Sequence, residues 1–102
     1  MALAACDGAE PVAPPATVRY VMDAPLCSSI LPVEFFLDGI RVGTDTFVVG
    51  IFPEHLVSRG FETTPGQHIL GASVVGGFVW PDTVVTLVAS EVFLDSLPFY
   101  CS

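Results

Sequence analysis

The chain contains no lysine and no asparagine, and its only permanently basic residues are Arg19, Arg41 and Arg59. Set against eleven acidic residues, they leave a formal net charge of −8 and a pI near 4.2. A surface that follows a phosphate backbone needs several Lys or Arg on one face. Three scattered arginines do not make one, so nucleic acid is not an expected partner. Electrostatic attachment to anionic lipid fails for the same reason. Without asparagine there is no N-glycosylation acceptor. Charged residues are 14% of the chain, against about 25% in ordinary soluble domains. Hydrophobic residues are 52%, yet no run reaches the about 18 apolar residues that a membrane-spanning helix requires. The uncharged stretch over residues 68–81 is broken by Gly71, Gly76 and Gly77 and ends at Pro81.

Catalytic signatures are equally scarce. No nucleophile elbow of the form G-x-S-x-G occurs. Gly76-Gly77 lacks the lysine and the helix start of a phosphate-binding loop. Only His55 and His68 offer themselves as general bases. Together with Glu54 and Glu62 they fall within fifteen residues, and imidazole with carboxylate suits zinc or copper. Their spacing, however, matches no ligand motif. His55 reads more simply as a solvated loop residue, and His68 as a strand-start residue at the core edge. No Asp-x-Asp-x-Asp run offers a calcium loop. The expectation is a chain that is not an enzyme and uses no cofactor and no metal.

What the chain does have is three cysteines, Cys6, Cys27 and Cys101. Leu3-Ala4-Ala5-Cys6 has the form of a bacterial lipobox: an aliphatic residue, two small residues that a signal peptidase can close around, and a thiol to carry diacylglycerol. The basic and apolar segments that precede such a box are expected upstream of Met1. The competing reading is an Ala-rich N-terminus with a chance cysteine. Cys27 and Cys101 enclose more than seventy residues. A disulfide closing such a loop contributes roughly 4 kcal/mol in the chain-entropy model. Such a bond requires an oxidising compartment, which export by way of the lipobox also implies. The alternative is two buried free thiols in a cytosolic protein. A zinc site is disfavoured because the paired short spacing is missing.

At 102 residues the chain has room for one domain, and one with a thin stability margin. Residues 7–16 hold three prolines and mostly small residues, the composition of an extended tether. Residues 1–16 are therefore expected to be a shortened signal, lipobox and tether without fixed structure, and residues 17–102 the folded domain. From Thr17 onward the pattern is β. Val18, Tyr20 and Met22 alternate with Arg19 and Asp23. Residues 33–37 and 40–42 flank Asp38-Gly39, the strongest short-range hairpin signal. Residues 47–52, 67–75 and 83–89 read as further strands, with turns at Pro65-Gly66 and Gly76-Gly77. Residues 54–64 read as a strand or a short helical turn. A last strand over residues 92–101 is expected to be interrupted by Asp95-Ser96 and Pro98. No segment sustains a helical period over ten residues. About seven short strands with Gly/Pro punctuation predict an all-β, antiparallel, immunoglobulin-like sandwich.

Residues 33–44 (VEFFLDGIRVGT) and 64–72 (TPGQHILGA) resemble the PEGA-type repeat and related immunoglobulin-like or prealbumin-like modules of bacterial envelope proteins. Those modules run from an apolar strand through an Asp-Gly turn and a Val-Gly-Thr strand to a Pro-Gly-x-His-x-Leu-x-Ala strand. The resemblance covers about 40 of the 102 residues. It implies a β-sandwich and a non-enzymatic role as spacer, display or binding platform. In this chain His68, Leu70 and Ala72 are expected to share one face.

Several strands are apolar on both faces, which a small sandwich with a solvated outer surface does not need. Phe36 is expected to point away from Val33, Phe35 and Leu37, and Phe52 away from Phe47, Val49 and Ile51. Such surplus marks a contact surface for a protein partner or a second copy. Trp80 is read as a core or rim aromatic, with sugar stacking as the sharper alternative. The sequence thus predicts an extracytoplasmic interaction or structural module of the bacterial cell envelope, lipid-anchored, periplasmic or secreted, that touches the membrane only through a lipid at Cys6. The alternative is a module that binds carbohydrate or metal.

Overall fold

The computed structural model describes residues 13–24, 28–50 and 55–100. Cys6, Cys27, Phe52 and Cys101, with the lipobox and most of the tether, lie outside the described residues. Seven strands occur among those described: β1 (Ala16–Asp23), β2 (Ser29–Leu37), β3 (Ile40–Val49), β4 (Phe61–Thr63), β5 (Gly66–Val74), β6 (Thr83–Leu87) and β7 (Val92–Pro98). They form a three-stranded sheet in the order β4-β1-β7 and a four-stranded sheet in the order β3-β2-β5-β6. The chain is an all-β sandwich, and the first of the described strands begins at Ala16, at the end of the Pro-rich segment.

Period-two patterning decides which side chains go inside. Val18, Tyr20 and Met22 are all buried, as are Leu31, Val33, Phe35 and Leu37 from β2. Leu70 and Ala72 join them from β5, with His68 at the rim on the same face. The two inner faces meet through aromatic rings. Tyr20 stacks on Phe35 at 4.4 Å between centroids, tilted by only 18°. Phe61 and Phe47 close on Phe35 at 5.4 and 6.0 Å, distances at which offset and edge-on rings attract.

The Asp38-Gly39 hairpin forms as its sequence predicts. Both residues have positive φ, 54° and 82°, the signature of a type I′ turn whose twist suits the flanking strands. The register of β2 against β3 shifts between Phe35 and Phe36. At that bulge the Phe36 carbonyl accepts a 3.1 Å hydrogen bond from the buried Tyr20 hydroxyl. Burial, with Asp95 nearby, pushes that hydroxyl far above the ordinary tyrosine value. That shift favours the protonated hydroxyl, the form that donates this bond. Beside the bulge, a Cβ on Gly43 would meet the Phe61 ring at 2.7 Å, so glycine is what lets β3 pass this close to the core.

Two features differ from the sequence expectation. The last strand is continuous over Val92–Pro98, with no break at Asp95-Ser96. It is also parallel to β1, in seven consecutive registered pairs from Thr17↔Val92 to Asp23↔Pro98; every other pairing of named strands is antiparallel. The reason lies in the corner that leads into it. The Ser90 N–H donates to the Pro15 carbonyl and the Thr17 N–H to the Glu91 carbonyl, both at 3.0 Å. These bonds pin the start of β7 beside the start of β1, so the two strands can only run the same way. Residues 55–64 hold no helical turn: bridges at His55 and Val57 lead into β4. Ser58, fully buried, both donates its N–H to the Tyr20 carbonyl and accepts from the Tyr20 N–H, at 2.8 and 2.9 Å.

Candidate functional site

Beyond Thr83, β6 no longer covers β5. Its place is taken by residues 78–80, through the bridge Ser73↔Val79 and the Trp80 N–H to Ala72 carbonyl bond of 3.0 Å. Pro81 and Asp82 bow outward between these two pairings. The bow leaves a cleft of about 220 Å³ between the sheets, walled by Leu70, Ala72, Trp80, Pro81, Leu97 and Pro98. Trp80 is not a surface ring. It is 5% exposed, and its indole N–H donates to the Pro98 carbonyl at 2.6 Å. Phe78 and Phe99 lie against it at 5.3 and 6.0 Å. This clamp ties the loop to the end of β7, and Trp80 is one of the residues that line the cleft.

The polar members of the cleft lining are Thr83, Asp95 and Ser96. In the parallel register Asp95 stands opposite Tyr20, between the pairs Val18↔Phe93 and Met22↔Leu97. It therefore sits at an inward position, and burial raises its pKa above the ordinary carboxylate value. Among the described residues its carboxyl has no hydrogen-bond or ion-pair partner. Sequence reasoning passed over Asp95 as a strand break. The signal was available: it lies at even spacing between Phe93 and Leu97, which face inward.

The two histidines do not come together. His55 Nε2 lies 3.0 Å from Asp45 Oδ2, with its ring over Phe47 at 5.8 Å. Burial pushes the Asp45 carboxyl up, but the bonds from His55 and the Thr46 N–H outweigh it and hold it below the usual range. His68 Nδ1 lies 2.6 Å from Asp38 Oδ2, and its Nε2 2.7 Å from the Thr64 carbonyl. The Ile69 N–H donates to the second Asp38 oxygen at 2.9 Å. Among the described residues no group of three or more His, Cys, Asp or Glu side chains converges.

Both ring nitrogens of His68 face acceptors, so both are satisfied only in the doubly protonated imidazolium. The Asp38 bond, with help from the Thr64 carbonyl, outweighs burial and raises the His68 pKa above its ordinary 6.5. The Ile69 N–H, followed by His68, lowers that of Asp38. A raised histidine pKa contributes stability that is complete below about pH 6.5 and is lost as pH rises through the folded value. The lowered carboxylate value contributes stability that is lost in acid. The melting temperature is therefore expected to fall by a few degrees between about pH 6 and pH 9. Scanning calorimetry at stepped pH should show that alkaline limb flattened in His68→Gln.

Outside the cleft, Phe36 is half-buried on the outer face of the four-stranded sheet, as its alternation predicts. It is paired across β2 and β5 with Gly71. On the same face lie the pair Ile69↔Val84 and, at the margin, Val79, exposed by 43, 61 and 66% respectively.

Comparison with known proteins adds little. No family model matches the chain and no curated protein matches it. Among solved structures, a leucine-rich repeat protein from Bacteroides thetaiotaomicron VPI-5482 is similar at 15% identity with a TM-score of 0.47. The match covers 82% of this chain but only 12% of that one. A likeness this slight carries no argument about either protein.

Proposed function

We propose that this domain is a non-enzymatic interaction or structural module of the bacterial cell envelope, related to the PEGA-type modules, lipidated at Cys6 and cross-linked between Cys27 and Cys101. The observation that carries the interaction reading is the outer face of the larger sheet. Ile69, Val84 and Val79 present apolar side chains where a free-standing sandwich would carry polar ones. A chain with 14% charged residues has few polar groups to spare for masking them. Contiguous exposed apolar surface on a small domain marks a contact site.

Support for the cross-link comes from the parallel pair. β1 and β7 run together to Asp23↔Pro98, and the Phe99 N–H donates to the Asp23 carbonyl at 2.9 Å. Cys27 follows Asp23 by four residues and Cys101 follows Pro98 by three.

Light scattering combined with hydrophobic-dye binding tests the surface. The domain is expected to self-associate or to bind dye, and Val84→Glu to lower either signal several-fold while leaving the melting temperature within a few degrees. A strictly monomeric domain that binds no dye would overturn the interaction reading. A ligand-binding role is favoured by one observation, the Trp80–Asp95 cleft.

A further inference from the structure

We propose that the cleft between Trp80 and Asp95 binds an alkylammonium or alkylguanidinium group, either a free small amine or the Lys or Arg side chain of a partner. The proposal deepens the interaction-module reading and rests on it.

The argument begins with Asp95. A carboxylate taken partly out of water needs a partner, because an unpaired charge in an apolar surround is costly. Two other carboxylates in comparable places have one: Asp45, inward on β3, has His55, and Asp38, in the β2–β3 turn, has His68. Asp95 has none among the described residues, although it lines a cleft. No arginine is among the residues that line the cleft. The chain lacks lysine. The Arg19 guanidinium donates to the Ser58 carbonyl at 2.8 Å. Arg41 pairs with Glu34 at 3.2 Å. Arg59 lies over the Phe61 ring at 5.1 Å and donates to the Thr44 carbonyl. The cation that matches Asp95 must come from outside the described fold.

The walls select the rest of the ligand. Leu70, Ala72, Pro81 and Leu97 suit an alkyl stem, and Trp80 lines the same cleft; indole is the aromatic ring to which cations are most attracted. Size excludes larger ligands. At about 220 Å³ the cleft is below the roughly 300–1,000 Å³ of ordinary small-molecule pockets, so it takes one side chain or one small amine rather than an oligosaccharide.

The test uses the full chain and its single tryptophan. Butylammonium chloride, butylguanidinium chloride and an acetylated, amidated Gly-Gly-Lys-Gly-Gly peptide are titrated at constant ionic strength. Trp80 fluorescence and the indole N–H resonance report occupancy. A saturable change with the cations is expected, and none with butanol. Asp95→Asn should weaken binding at least tenfold. Glu62→Gln removes the same unit of charge on β4, across β1 from the cleft, and should leave affinity within twofold. In ¹³C spectra the Asp95 carboxyl should titrate at lower pH when butylammonium is saturating. Tighter binding of the peptide assigns the site to a partner's side chain; equal or tighter binding of the free cations assigns it to a small amine. No saturable change with any cation, an equal response to butanol, or unchanged affinity in Asp95→Asn would overturn the proposal. Those failures leave the outer-face reading intact, since that is read at Val84.

Discussion

Phe35→Ala is expected to leave the domain unfolded or nearly so at room temperature. Phe35 is fully buried and is the one ring that touches Tyr20, Phe47 and Phe61 at once. Truncating it removes the contact between the two sheets at their centre. The three remaining rings are held by three different strands or faces and cannot collapse together into the space. Phe-to-Ala changes of this kind cost about 3–5 kcal/mol, against about 5–15 kcal/mol for a whole domain. In a chain of this length each kcal/mol moves the melting temperature by about 4–8 °C. Urea denaturation followed by Trp80 fluorescence measures the effect. The expected result is a much lower midpoint with an unchanged slope. Phe35→Leu should recover most of the loss, because it refills the volume but not the stacking. A Phe35→Ala protein with a midpoint close to that of the parent would show that the aromatic cluster is not the centre of the core.

Reduction of the proposed Cys27–Cys101 bond should have the second large effect. The bond would close a loop that spans β2 through β7, nearly the whole sandwich, so the denatured chain would gain almost its full freedom when the bond is cut. Loss of a native disulfide from a small domain costs about 2–5 kcal/mol. A reductant, or Cys101→Ser, is expected to lower the melting temperature by more than 10 °C. Alkylation of unreduced, denatured protein followed by mass measurement of its peptides should label neither Cys27 nor Cys101, and both after reduction. Labelling of both without reduction, and a melting temperature indifferent to reductant, would rule the bond out.

Two edge strands carry a device that discourages aggregation. β7 and β3 are outer strands of their sheets, and each carries an inward carboxylate, Asp95 and Asp45. An inward charge on an edge strand discourages a further strand from docking there. Pro98 adds a missing N–H at the end of β7. The difference between the two edges is chemical. Asp45 is satisfied by His55 and by the Thr46 N–H, while Asp95 keeps its carboxyl available. That asymmetry is why one edge reads as protection only and the other as protection with a binding site.

The sequence alone determined what depends on neighbours a few residues apart. Alternation placed Val18, Tyr20, Met22, Val33, Phe35 and Leu37 inside and Phe36 outside. Asp38-Gly39 specified its turn, because few other residue pairs tolerate positive φ twice in succession. The absence of a sustained helical period pointed to an all-β fold. Tertiary structure alone decided what depends on residues far apart. The parallel direction of β7 follows from bonds between Pro15 and Ser90 and between Thr17 and Glu91. The His68–Asp38 pair joins residues thirty positions apart. Asp95 looked like a strand break because a charged residue disfavours a strand when only local propensity is weighed. Seven registered pairs with β1 outweigh that preference and place it at an inward position that lines the cleft. Local propensity is worth tenths of a kcal/mol per residue, whereas strand pairing and burial act along the whole element. The turns and the core were therefore legible in the chain, and the cleft was not.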